Sequence, residues 1–155
     1  TALSKKDDLA KINRRANRAV VYILEKDAKI KTIVLPIHGY GLWSTLYGFL
    51  ALEGDLNTVA GLGFYSHTET PGLGGEIDNP RWKAQWPGKK LYNDSGDLAI
   101  QVTKGKNNPE LADSIHKIDG LSGASLTTRG VDNLVHYWLS EGGYGPFLAQ
   151  LNKGG

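Results

Sequence analysis

The 155-residue chain has no cysteine and no methionine. Without thiols there are no disulfides, no thiolate metal sites, no iron–sulfur ligation by cysteine and no cysteine nucleophile, and the redox compartment stays open. A chain that starts at Thr1 and lacks methionine reads as a trimmed or excised domain. Net charge is only +2, too small to point to nucleic acid or an anionic membrane as partner. No apolar run reaches bilayer-spanning length, and no signal peptide is visible. The four histidines, His38, His67, His116 and His136, lack close metal-ligand spacing, so structural or solvent roles are expected for all four. No triad-like set stands out either. What remains is ordinary for a folded domain: 40% hydrophobic and 22% charged residues, in a length suited to one core.

Read in order, residues 1–18 are polar, with Leu9 and Ile12 as the large apolar residues, and suggest a short, weakly held helix. Residues 19–24 and 30–37 are β-branched runs and read as strands. Pro36 places the end of the second at an edge or an irregularity. Residues 38–43, with two glycines around Tyr40, break the strand pattern. Residues 44–52 and 57–67 read as a hairpin. Residues 68–75 are a glycine-rich loop without the spacing of a P-loop or a dinucleotide fold. Residues 79–86 form a short helix candidate whose Trp82 and Trp86 share a core face. A further hairpin spans 89–92 and 98–102 around a turn at 93–96. One helical turn is expected at 109–113, a strand at 114–118, a helix C-cap at Gly142 and Gly143, and a returning segment at 144–151 with fraying after it. The fold class is α+β: helices against a twisted, largely antiparallel sheet. A polar lead-in (1–18) precedes one domain (19–155).

The chemistry concentrates in residues 119–128, Asp-Gly-Leu-Ser-Gly-Ala-Ser-Leu-Thr-Thr. Behind them Val131, Leu134, Val135, Trp138 and Leu139 recur at helical spacing. The hydroxyls therefore sit at a helix N-terminus, where Thr127 or Thr128 suits the N-cap. Unpaired N–H groups and the helix dipole suit an anion there. Gly123 and Ala124 leave the backbone open to a large group. Taken alone, the run has a plainer reading as a loop with a cap, and Asp119 as an ordinary turn aspartate.

The run Asp119, Gly120, Leu121, Ser122, Gly123, Ala124, Ser125 resembles the flavinylation motif of the covalent-flavin subunits of redox-driven ion pumps. Three further stretches resemble the C-subunit family of sodium-translocating NADH:quinone oxidoreductases: 39–48 (Gly-Tyr-Gly-Leu-Trp-Ser-Thr-Leu-Tyr-Gly), 67–76 (His-Thr-Glu-Thr-Pro-Gly-Leu-Gly-Gly-Glu) and 143–148 (Gly-Tyr-Gly-Pro-Phe-Leu). The related G-subunit of Rnf-type electron-transfer complexes shares the flavin motif and is the nearest alternative; a module that binds FMN without redox duty, or docks without flavin, is another. The resemblance implies FMN in phosphoester linkage to Ser125, with Thr127 as the second candidate, attached by a dedicated flavin transferase that recognises Asp119. The family usually has threonine at the acceptor position. Ser122, Gly123, Ala124 and Thr127 are expected around the phosphate, Trp43, Thr70, Leu73 and Gly74 around the ring, and Lys104 as a weaker candidate for a nearby cation. The family arrangement adds an N-terminal transmembrane helix, absent here, and a flavin domain on the periplasmic side of the bacterial inner membrane. It implies a one-electron relay from an iron–sulfur centre to a second covalent flavin in partner subunits.

Overall fold

The computed structural model describes residues 1–154. Its centre is a four-stranded antiparallel sheet in the order β1 (Tyr22–Lys26), β2 (Lys29–Tyr40), β3 (Thr45–Glu53), β4 (Val59–Ser66). Strict alternation builds it. Ile33, Leu35 and Ile37 of β2 and Leu46, Leu50 and Leu52 of β3 point inward and are buried. Register pairs Ile33 with Leu52 and Leu35 with Leu50, while Ile37 faces Gly48 and Leu46 faces Gly39. Helix α2 (Ser125–Leu139) lies on β2 and buries Val131, Leu134, Val135, Trp138 and Leu139. Each such fully buried side chain contributes roughly 1.5–3 kcal/mol. Short α1 (Pro80–Lys83) begins at an Asn79 cap with proline at its first position, and delivers Trp82 edge-on to Trp86. A two-stranded parallel pair, β5 (Gln101–Val102) and β6 (Lys117–Ile118), leads into the motif, and α3 (Gly145–Gly154) ends the described chain.

Beyond Val34, strand β2 has no strand on its outer side, because β1 ends at Tyr22. Side chains cap that edge instead. Tyr144 OH donates to Pro36 O at 2.6 Å and Trp138 Nε1 to His38 O at 2.7 Å, while Tyr40 N–H reaches Ala10 O at 2.9 Å. Proline is tolerated at position 36 because this is an edge and no ladder donor is missed. Burial pushes the Tyr144 hydroxyl up to about 12. Burial also lowers the His38 pKa, against the pull of Asp8, and the ring stacks on Tyr47.

Several expectations are corrected. Residues 1–18 form no helix; a bridge from Ala2 to Arg14 and left-handed residues Lys11 and Asn13 make a looped arm held by buried Ala10. Leu3, Leu9 and Ile12 are too few to hold a helix face. Strand β2 does not break at His38 but runs to Tyr40. The hairpin around 93–96 is a single bridge, Tyr92 to Leu98. The turn expected at 109–113 lies at Ala112–His116 in 3₁₀ form, which shortens the following strand to two residues. Helix α2 ends at Ser140 rather than at the glycines. Gly143 is needed for another reason, since a Cβ there would strike the Trp138 backbone. Helix α3 continues to Gly154, where fraying was expected; Gly155 lies outside the described residues.

The β3–β4 turn supplies a pH test. Asp55 accepts from Thr58 Oγ1 (2.5 Å), Thr58 N–H (2.7 Å) and Asn57 N–H (2.9 Å), and Lys90 Nζ stands 3.4 Å away. Partial burial disfavours its charge, but these donors outweigh burial and hold its pKa at about 2, below the ordinary 3.8. The stabilisation is therefore present above the ordinary value and lost as pH falls through 3.8 toward 2. Asp55→Asn should lower the Tm by a few degrees near neutral pH. Its thermal stability should also vary less with pH than wild type across that acid window, in parallel calorimetric scans.

Candidate functional site

Three chain segments converge on one buried carboxylate. Glu69 is 4% exposed. It accepts Leu42 N–H at 2.5 Å and Trp43 N–H at 2.9 Å, and faces Thr127 Oγ1 at 3.4 Å. The β2–β3 loop, the loop after β4 and the first turn of α2 are thus tied together. Two glycines make the approach possible. A Cβ on Gly41 would land on the Glu69 carboxylate, and one on Gly74 would sit 2.5 Å from Thr127 Oγ1. Gly130 lets α2 lie directly against the backbone of Tyr40 and Gly41. The Glu69 loop is braced from behind: His67 Nδ1 accepts Glu69 N–H at 3.1 Å, which leaves Nε2 to donate to Asp78 at 2.6 Å. Glycine density marks this loop in the sequence, but the acid within it was not singled out. A lone carboxylate beside a Pro-Gly turn carries no signal of burial until the facing amides are known.

The motif forms the floor. Asp119 is a tie-point: its N–H donates to Gln85 Oε1, its carbonyl accepts Trp82 Nε1, and its carboxylate accepts Asn107 N–H at 2.7 Å. Gly120 packs against the backbone of Thr103 and Lys104. Gly123, at φ +69°, turns the chain into the helix, a conformation that favours glycine. The N-cap position falls on Ala124 with no side-chain cap. The expectation of a cap at Thr127 or Thr128 is therefore corrected, and the reason is visible. Both threonines are already inside the first turn and buried. Thr128 Oγ1 accepts Leu121 N–H at 2.9 Å, and Thr127 faces Glu69 and Gly74. The first amide to reach back along the helix is Thr128, to Ala124 O. The N–H groups of Ser125, Leu126 and Thr127 are thus left for solvent or an anion.

Ser122, Gly123 and Ser125 are exposed. Among the described residues neither serine hydroxyl has a hydrogen-bond partner. Thr127, at 1% exposure, has its hydroxyl inside the protein. The segments that meet here carry exposed apolar side chains, Trp43 at 65%, Leu73 at 45% and Leu126 at 50%. Leu73 Cδ2 would lie 3.3 Å from a Cβ on Gly123, so it leans over the motif. Thr70 is exposed, and its carbonyl closes its own loop by accepting Leu73 N–H and Gly75 N–H. Lys104 is exposed on the loop beside Gly120. The arrangement is a shelf bearing two free serine hydroxyls and an uncapped helix end, with Leu73 leaning over it. Glu69→Gln should keep the volume but weaken acceptance from two part-buried amides, at about 1–3 kcal/mol. Chemical denaturation would report that loss. Trp43 emission should shift with it, which a substitution remote from the loop would not produce.

The family profile for the FMN-binding domain matches residues 41–140, from the loop that Glu69 holds to the end of α2. The chain is 60% identical over 153 residues to the C-subunit of the Na(+)-translocating NADH-quinone reductase of Pseudomonas aeruginosa, covering 99% of this chain and 59% of that protein. It is 50% identical to the protein of the same name from Vibrio anguillarum, with the same coverage. Among solved structures, Shewanella oneidensis NqrC aligns with a TM-score of 0.88 at 40% identity, over 99% of this chain and 70% of that one. The C-subunit of the Na(+)-translocating NADH-quinone reductase from Parabacteroides distasonis aligns at 0.69 and 34% identity, over 83% and 61%. The chain spans about three-fifths of the length of these curated relatives. It belongs to the FMN-binding domain family, and within it to the NqrC proteins of the Na+-translocating NADH-quinone reductases.

Proposed function

We propose that this chain carries FMN covalently, as a phosphoester on Ser125 Oγ, and relays single electrons within a membrane-bound Na+-translocating NADH:quinone reductase. The observation that carries the reading is the exposed, unpartnered Ser125 hydroxyl at the uncapped start of α2. When bound, FMN supplies one-electron redox chemistry at neutral pH. The chain's own residues hold and shield it. The N–H groups of the first turn of α2 face the phosphate, and a helix N-terminus adds roughly 0.3–1 kcal/mol toward a negative charge there. Ser122, Gly123 and Ala124 line the phosphate end, and Thr127 braces it from below. Trp43, Thr70, Leu73 and Gly74 flank the ring, where Trp43 offers a stacking face and Leu73 excludes water. Lys104 is a candidate for a cation beside the ring. Asp119 serves the flavin transferase by holding the motif in a fixed shape. Ser125 is the acceptor rather than Thr127, because the Thr127 hydroxyl is buried against Glu69.

In the complex, the electron arrives from an iron–sulfur centre and leaves to a second covalent flavin, both in partner subunits. The domain works on the periplasmic side of the bacterial inner membrane, anchored by an N-terminal helix of the longer protein. The isolated domain is not expected to turn over NADH. Co-expression with the transferase should yield yellow protein, with the mass of FMN less water on the peptide that contains Ser125. Ser125→Ala should abolish both mass and colour, Ser125→Thr should retain them, and Thr127→Ala should retain the attachment site. A bare-chain mass from a flavin-competent host would overturn the reading.

A further inference from the structure

Among the described residues Glu69 is the one buried acid. Both of its oxygens act as acceptors. Oε1 takes Leu42 N–H and faces Thr127 Oγ1, and Oε2 takes Trp43 N–H. All three donors are neutral, and no Lys, Arg or His among the described residues pairs with the carboxylate. His67, two residues back, brings it no positive charge. The ring accepts Glu69 N–H at Nδ1, and its Nε2 serves Asp78 at 2.6 Å. Gly41 and Gly74 close over the acid from either side. A tie between loops requires acceptors but no net charge, and a buried charge is by itself a poor source of stability. The position of the charge is specific. Thr127 follows Ser125 by two residues in α2, roughly 5 Å between Cα positions. Gly74 adjoins Leu73, which leans over Gly123.

On the reading of Ser125 as the FMN acceptor, on which this inference rests, we propose that Glu69 sets the flavin's reduction potential, its fixed negative charge holding that potential down. An electron taken up at the shelf brings negative charge toward a carboxylate that is tethered at both oxygens. At 4% exposure that carboxylate is little screened by salt. The reduced form is therefore disfavoured relative to the same site with a neutral side chain. A relay gains from this, because an electron held less tightly is passed on more readily. The alternative, Glu69 as a tie and nothing more, predicts no change in potential when the charge is removed and the shape is kept.

The test uses the whole chain, flavinylated by co-expressed transferase and titrated anaerobically with dithionite and redox mediators. Glu69→Gln should carry FMN by mass. It should also shift the first one-electron equilibrium about tenfold toward the reduced form, an upward move of about 59 mV. Glu69→Asp keeps the charge on a shorter stem. It should lose stability yet stay within about threefold of the wild-type equilibrium. A Glu69→Gln potential equal to wild type overturns the proposal. Equal shifts in both variants also overturn it, since they assign the effect to loop packing. A second readout serves if Glu69→Gln does not fold. With isotopically labelled glutamate, the redox-difference infrared spectrum of wild type should show a labelled carboxylate stretch that moves on reduction and is missing in Glu69→Asp. Absence of that band overturns the proposal. The two readings fail differently. Wild type with a bare-chain mass from a flavin-competent host overturns the Ser125 reading and this one with it. Flavinylated Glu69→Gln at the wild-type potential overturns this one alone.

Discussion

The site exists because one carboxylate is buried where two main-chain amides point at it. Glu69 takes the N–H groups of Leu42 and Trp43 and sits against Thr127. A buried charge without partners is strongly unfavourable. The loop after β4 is therefore compelled to keep company with the β2–β3 loop and the start of α2. The sheet supplies the lever arms. Strands β2, β3 and β4 deliver both loops to the same end, and α2 crosses β2 close enough for Gly130 to lie on the Tyr40 carbonyl. Small residues at positions 41, 74 and 130 are the steric condition for this closure. The carboxylate is the electrostatic one.

How much of this was legible follows from how local each cause is. The runs 30–37 and 44–52 are legible as strands, because the period of a strand is written in neighbours; that Leu46, Leu50 and Leu52 face inward, rather than Tyr47 and Phe49, shows only in the fold. The helix behind the motif is legible for the same reason, through Val131, Leu134, Val135 and Trp138. The arm at 1–18 was misread as helix. Its conformation depends on Ala10 reaching Tyr40 and on Thr1 bonding the Arg15 carbonyl, contacts between residues that composition does not connect. The continuation of β2 through His38 was hidden likewise. Tyr144 and Trp138, about a hundred positions away, complete the edge that its carbonyls need.

The candidate site divides along the same line. Ser122, Gly123, Ala124 and Ser125 announce themselves as a compact run. The capping expectation at Thr127 and Thr128 failed because both hydroxyls are engaged by distant partners, Glu69 and Leu121. From the sequence, a threonine at a helix start looks free; only the fold shows that it is occupied. Glu69 went unnamed since its importance lies in which amides surround it. Trp43, Leu73 and Gly74 were legible as members of glycine-rich stretches. That Leu73 leans over Gly123 and Gly74 packs on Thr127 is a property of the fold that carries them.

The openness of the shelf is itself informative. Grooves of about 600, 850 and 790 Å³ are lined by other parts of the chain, and a smaller one of about 180 Å³ beside the site is lined by Gly41, Leu42, Leu126 and Gly130 among others. A site that must hold a free ligand by affinity buries most of it in a cavity. Here Ser122 and Ser125 are exposed, and Leu73 leans over Gly123. Such a surface holds a freely exchanging flavin poorly, yet suits one fixed by a covalent bond, because a tether replaces the association entropy that enclosure would otherwise have to offset. An electron relay also gains from exposure, since its redox group must approach a partner's rather than admit a substrate. The shallow shelf and the single serine oxygen therefore belong to one solution. On the proposed reading, attachment would relieve the fold of the need to enclose, and the rigidity that Glu69 imposes on the adjoining loops would substitute for the walls.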